Sequence, residues 1–103
     1  MVLTMDVQID IKEVTIEFNE EKNLLLKETR KISFDEIIEA IDKNQILDDI
    51  EHRDKKRYLQ QKILVVRVKN YVYAILYVRD KKRGVIFLKT IYPSRVLTKK
   101  YIK

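Results

Sequence analysis

Near His52 the chain changes its hydrophobic period and the sign of its charge together. Between Asn19 and Asn44 apolar residues recur at helical spacing; from Ile46 onward they alternate. Helices followed by successive strands restrict the fold to an α+β arrangement, with the helices laid on one face of a meander. Residues 1–52 hold six Lys/Arg and fourteen Asp/Glu, a net −8. Residues 53–103 hold sixteen Lys/Arg against Asp54 and Asp80 alone, a net +14. Such a split points to a polyanionic partner for the basic half. Mutual neutralisation of the two halves is the competing reading, and even that leaves a surplus of +6 on a small surface.

The single glycine, Gly84, is too few for a phosphate loop or a dinucleotide fingerprint, and the absence of cysteine excludes disulfide scaffolds, zinc fingers and thiol chemistry. No stretch approaches the roughly 20 apolar residues of a membrane helix, and the N-terminus lacks the pattern of a secretory signal. These features lead us to expect a soluble, cytoplasmic domain over 14–103, preceded by a strand or extension over 1–13, with no metal and no cofactor.

Val7 to Ile11 and Val14 to Phe18 alternate as strands do. Asn19 caps a helix reaching about Arg30, with Glu20 and Glu21 at the positive end of its dipole. Ser33-Phe34-Asp35-Glu36 is a capping box in which the serine bonds forward and the glutamate reaches back. Phe34, Ile37, Ile38 and Ile41 then form one helical face, and Asn44 is a stop. Ile46–Ile50 reads as an edge strand, Lys62–Lys69 and Tyr71–Arg79 as a hairpin turning at Lys69-Asn70, and Val85–Ile91 as the strand after a turn at Gly84. Ser94 to Tyr101 is a short basic helix or tail. The expected fold is two helices on one face of a four- to five-stranded antiparallel sheet.

In strand 71–79 the aliphatic row Val72, Ala74, Leu76 and Val78 is expected beneath the helices. That leaves Tyr71, Tyr73, Ile75, Tyr77 and Arg79 on the open face, where tyrosines can stack on unpaired bases. Strand propensity alone also selects tyrosine. His52 is the only histidine, the side-chain type whose unperturbed pKa lies near neutral. Its acidic neighbours favour its charged form, and Arg53, Lys55, Lys56 and Arg57 oppose it. Lys89 falls, by alternation, in an apolar row with Val85, Phe87 and Ile91, which suggests a sheet edge or a site. Asp48 and Asp49 point to opposite faces if their strand forms.

Ile16-Glu17-Phe18-Asn19-Glu20-Glu21-Lys22-Asn23, Ile32 to Glu36, Asp49-Ile50-Glu51-His52, Leu88 to Arg95 and Thr98-Lys99-Lys100-Tyr101 occur in an order and spacing that resembles the BrnT family of bacterial toxins. The resemblance runs from about Thr15 to the end. It implies a RelE-like fold and an endoribonuclease that needs no metal. It also implies a ribbon-helix-helix antitoxin (BrnA-like) and binding to operator DNA through the toxin–antitoxin complex. Under it, Lys89 and Arg95 clamp the scissile phosphate, His52 transfers a proton, and Lys22 and Tyr101 contribute. Arg79, Lys99, Arg57, Tyr73 and Tyr77 would contact RNA. The alternative is a nucleic-acid-binding or protein-interaction domain that keeps the fold without the chemistry.

Overall fold

A computed structural model describes residues 15–51, 61–80 and 82–102. The elements run β1 (Thr15–Phe18), α1 (Glu20–Arg30), α2 (Phe34–Asp42), β2 (Ile46–Glu51), β3 (Gln61–Val68), β4 (Tyr71–Asp80), β5 (Val85–Pro93) and α3 (Arg95–Tyr101). The alternating segment Val7–Ile11 and the extension over 1–13 lie outside the described residues, as do His52 and Arg57. No helix among the described residues is long and apolar enough to cross a membrane.

The five strands form one sheet in the order β1-β5-β4-β3-β2. The meander from β2 to β5 is antiparallel, but β1 pairs with β5 in parallel. The sheet is therefore mixed, which corrects the all-antiparallel expectation. The physical reason is connectivity. α1 and α2 carry the chain from β1 at one edge to β2 at the other, and the meander then returns to lie beside β1.

Short polar signals fix the helices. Asn19 caps α1 by accepting the Lys22 N–H at 2.9 Å, and Ser33 caps α2 by accepting the Glu36 N–H at 3.2 Å. The return bond differs from the expected box, because the Ser33 hydroxyl itself donates to Glu36 Oε1 at 3.3 Å. Lys43 closes α2, and Asn44 follows at φ 62°, the left-handed conformation that stops a helix. Phe34, Ile37 and Ile41 are buried, with Ile38 partly so, as their spacing requires.

The helix-facing core joins Leu26, Ile32, Phe34, Ile37 and Ile41 to Leu64, Val66, Ile75, Tyr77, Ile86, Leu88 and Ile91. The Phe18 and Phe34 rings meet at 5.0 Å between centroids. Asn23 lies at the junction of the two helices and is 0% exposed. Its Oδ1 accepts the Phe34 N–H at 2.7 Å, and its Nδ2 donates to Asp35 at 3.1 Å and Glu20 at 3.3 Å. The Phe18-Asn19…Asn23 and Ser33-Phe34 pieces of the motif thus serve the packing of the helices on each other and on the sheet.

The faces of β4 are the reverse of those expected. Tyr73, Ile75 and Tyr77 face the helices, while Val72, Ala74, Leu76 and Val78 face away. Tyr77 is 2% exposed, and Tyr73 packs against the core beside Glu36 of α2. Burial first, then the Glu36 charge and Tyr71, push the Tyr73 hydroxyl above its ordinary range. The Tyr77 hydroxyl survives burial because it donates to Asp49 Oδ1 at 2.7 Å. The other Asp49 oxygen takes Lys62 Nζ at 3.1 Å, so a buried donor and a buried carboxylate satisfy each other. Asp48 and Asp49 do point to opposite faces, since Asp48 pairs in register with Val65 and Asp49 with Leu64.

This pairing has a measurable consequence at high pH. Burial first, then the bond to Asp49, hold the Tyr77 proton far above the ordinary tyrosine range. The unfolded chain releases that proton above about pH 10, so the contribution is complete below pH 10 and is lost as pH rises. Above that point stability should fall by about 1.4 kcal/mol per pH unit from this group. Tyr77→Phe should remove that slope and cost about 1–2 kcal/mol at neutral pH. Urea unfolding of both chains from pH 8 to 11 measures both effects.

Candidate nucleic-acid interface

The face of the sheet away from α1 and α2 carries Lys89 and the basic helix α3. α3 lies across part of it. Ser94 caps α3 by accepting the Leu97 N–H at 3.1 Å, and Thr98 Oγ1 accepts the Val72 N–H at 2.9 Å. At the far end of α3 the Tyr101 hydroxyl donates to Asp48 Oδ2 at 3.1 Å on the opposite edge strand. Under α3, Val65 and Val72 are fully buried. Beyond it, Ile63, Leu76, Val78 and Phe87 stay half-exposed and Ile50 is 40% exposed. They form an apolar floor running along the sheet.

Lys89 borders this floor at Phe87, and α3 on the same side carries Arg95, Lys99 and Lys100. Between Gln61 and Ile102 the only acid is Asp80, and Arg83 engages it through its backbone N–H at 3.2 Å. Arg83 also grips Glu17 at 3.2 Å from both carboxylate oxygens. Lys89, Arg95, Lys99 and Lys100 are all exposed and have no carboxylate partner among the described residues.

The strand register explains where Lys89 sits. Leu76 pairs with Thr90 and Tyr77 with Leu88, so Lys89 is an extra residue bulged out of β5. A bulge shifts the alternation by one. Leu88 and Ile91 consequently both face the core, while Lys89 turns outward with its Nζ 5.8 Å from the centre of the Phe87 ring. The expected row of Val85, Phe87, Lys89 and Ile91 does not form, and no charge has to be buried.

Of the residues nominated from the sequence, Lys89, Arg95, Lys99 and Tyr101 share this side of the sheet. Tyr73, Tyr77 and Arg79 belong to the helix-facing side, where the Arg79 charge acts on Tyr77. Lys22 is half-buried in the first turn of α1, within the helix layer. Burial first, then the hydrogen bond to Asp48, raise the Tyr101 hydroxyl above its ordinary value. The Tyr101 hydroxyl is therefore held in its protonated form at neutral pH.

Three further residues receive no role from alternation or charge. Arg30, the last residue of α1, reaches the edge of β5 and donates to the Ile91 carbonyl at 2.6 Å and to Thr90 Oγ1 at 3.5 Å. Its guanidinium lies 4.8 Å over the Tyr92 ring. The bulge decides which way Thr90 and Tyr92 face, and only the register reveals it. No family model matches the chain, and no curated protein or solved structure matches it either.

Proposed function

We propose that this chain is an RNA-cleaving toxin of a toxin–antitoxin pair, acting through the substrate's own 2′-hydroxyl without a metal ion. The observation that carries the reading is that Lys89, Arg95, Lys99 and Lys100, none with a carboxylate partner among the described residues, lie on the side of the sheet that holds the apolar floor. Unpaired cations on one surface attract a polyphosphate backbone, and the release of counterions makes that attraction fall with salt.

In this reading the 2′-oxygen attacks phosphorus as the P–O5′ bond breaks, leaving a 2′,3′-cyclic phosphate and a 5′-hydroxyl. Lys89 and Arg95 stabilise the negative charge gathering on the phosphoryl oxygens. His52, which follows β2 directly in the chain, takes the 2′-proton. Tyr101, kept protonated beside Asp48, gives a proton to the departing 5′-oxygen. Exchange with water returns both groups to their starting states. A ribbon-helix-helix antitoxin would act by covering the same basic surface, and the joint complex would bind operator DNA.

The exposure of Lys89 and Arg95 favours a second reading, in which the surface binds nucleic acid without cutting it. Cations act most strongly on a transition state when water is excluded. Incubating mixed RNA with the purified chain in EDTA separates the two: cleavage supports the toxin reading, and binding without cleavage supports the second.

A further inference from the structure

Tyr92 is 48% exposed, the most exposed large aromatic side chain among the described residues. A tyrosine in a strand of a small domain usually finds cover, as Tyr77 does here. Tyr92 instead has one face occupied by the Arg30 guanidinium at 4.8 Å. Arg30 is held in turn by the Ile91 carbonyl at 2.6 Å and by Thr90 at 3.5 Å. That charge-assisted bond fixes both the cation and the ring it covers before any ligand arrives. Capping the free edge of β5 accounts for the bond from Arg30 to the Ile91 carbonyl. It does not account for a ring left half in water, three residues along β5 from the bulged Lys89.

We propose that Tyr92, backed by Arg30, is a stacking platform for one unpaired base of a single-stranded RNA. The inference rests on the RNA reading above and names the part of the surface that takes a base rather than a phosphate. Every base offers a π-face, so such a platform selects for single strands without selecting a sequence. Lys89, three residues back along β5, and Arg95, three residues ahead, place cations on both sides of the ring in the chain for the flanking phosphates. Strand alternation alone assigns the stacking role to Tyr73 and Tyr77. The structure buries Tyr77 and packs Tyr73 against the helix-facing core, and leaves Tyr92 more exposed than either.

The chain has no tryptophan, so Tyr92→Trp installs a single fluorophore at the platform. Titration with a 12-nucleotide single-stranded RNA of mixed sequence should quench that fluorescence, and the same RNA as a blunt duplex should not. Tyr92→Ala should weaken single-strand binding about 10-fold with duplex binding unchanged, whereas Tyr92→Phe should bind like the parent. Far-UV circular dichroism and urea unfolding check that Tyr92→Ala keeps the fold. If it loses the fold, the tryptophan quench and the phenylalanine variant decide. Equal single-strand affinity for parent and Tyr92→Ala, or an unquenched tryptophan with RNA bound, overturns the platform and leaves the RNA reading standing. A parent chain that binds no RNA overturns both.

Discussion

Replacing Lys89 and Arg95 together with alanine is expected to slow RNA cleavage by the purified chain by about 1000-fold or more. Removing one preorganised donor to a developing oxyanion costs on the order of 100- to 1000-fold, and two that share a phosphate act as a unit rather than additively. The fold should be untouched. Both side chains are exposed, and neither has a carboxylate partner among the described residues. Stability should therefore stay within about 0.5 kcal/mol of the parent. RNA affinity should also become less salt-sensitive, the log–log slope shrinking by about 0.7 for each phosphate no longer neutralised. A double variant that cleaves at the parent rate removes both residues from the chemistry.

The largest stability effect should come from Asn23, a residue of the motif that serves the fold. Its carboxamide is fully buried and makes three hydrogen bonds, two across the α1–α2 junction to Phe34 and Asp35 and one within α1 to Glu20. Asn23→Ala leaves the buried Phe34 N–H without its acceptor and opens a small void, a combined cost of about 3 kcal/mol. Asn23→Asp is the sharper probe. It keeps the acceptor for Phe34 but sets a third carboxylate beside Glu20 and Asp35, where Nδ2 donates at present. Burial and like charge both raise the pKa of such an aspartate above its unfolded value. The variant should thus be closest to the parent at low pH and lose stability as pH rises through that raised value. Urea unfolding between pH 4 and 8 reads the trend. A pH-independent loss would mean that the charge is not felt at the junction.

What could be read from the sequence was local. The Asn19 and Ser33 caps, the α2 face through Phe34, Ile37 and Ile41, and the hairpin at Lys69-Asn70 depend on residues within one or two turns of each other. The opposite orientations of Asp48 and Asp49 follow from strand alternation alone. The charge split survives folding only in part: α3 and the bulged Lys89 put cations on the side of the sheet away from α1 and α2, while Lys62 and Arg79 belong to the helix-facing side. What could not be read depends on partners far along the chain. β1 pairs in parallel because two helices carry the chain across the sheet, and no local pattern encodes that. The faces of β4 are inverted because Tyr77 finds Asp49, 28 residues earlier, to satisfy its hydroxyl. With that bond made, tyrosine can be the inward residue and the aliphatic row can lie under α3 or in the floor. The bulge at Lys89 similarly depends on β4 as much as on β5. It is what turns Lys89 outward and places Thr90 and Tyr92 within reach of Arg30.

Lys89 and Arg95 stand at the centre of the proposed reaction, and its products are what distinguish it from other ways of cutting RNA. The most direct test is a time course of mixed RNA with the purified parent chain in EDTA, with the new ends analysed chemically. The expected result is cleavage that yields 2′,3′-cyclic phosphate and 5′-hydroxyl ends, with the Lys89→Ala/Arg95→Ala chain inactive beside it. Intact RNA in EDTA, or cleavage that appears only when magnesium is added and leaves 5′-phosphate ends, would contradict the account.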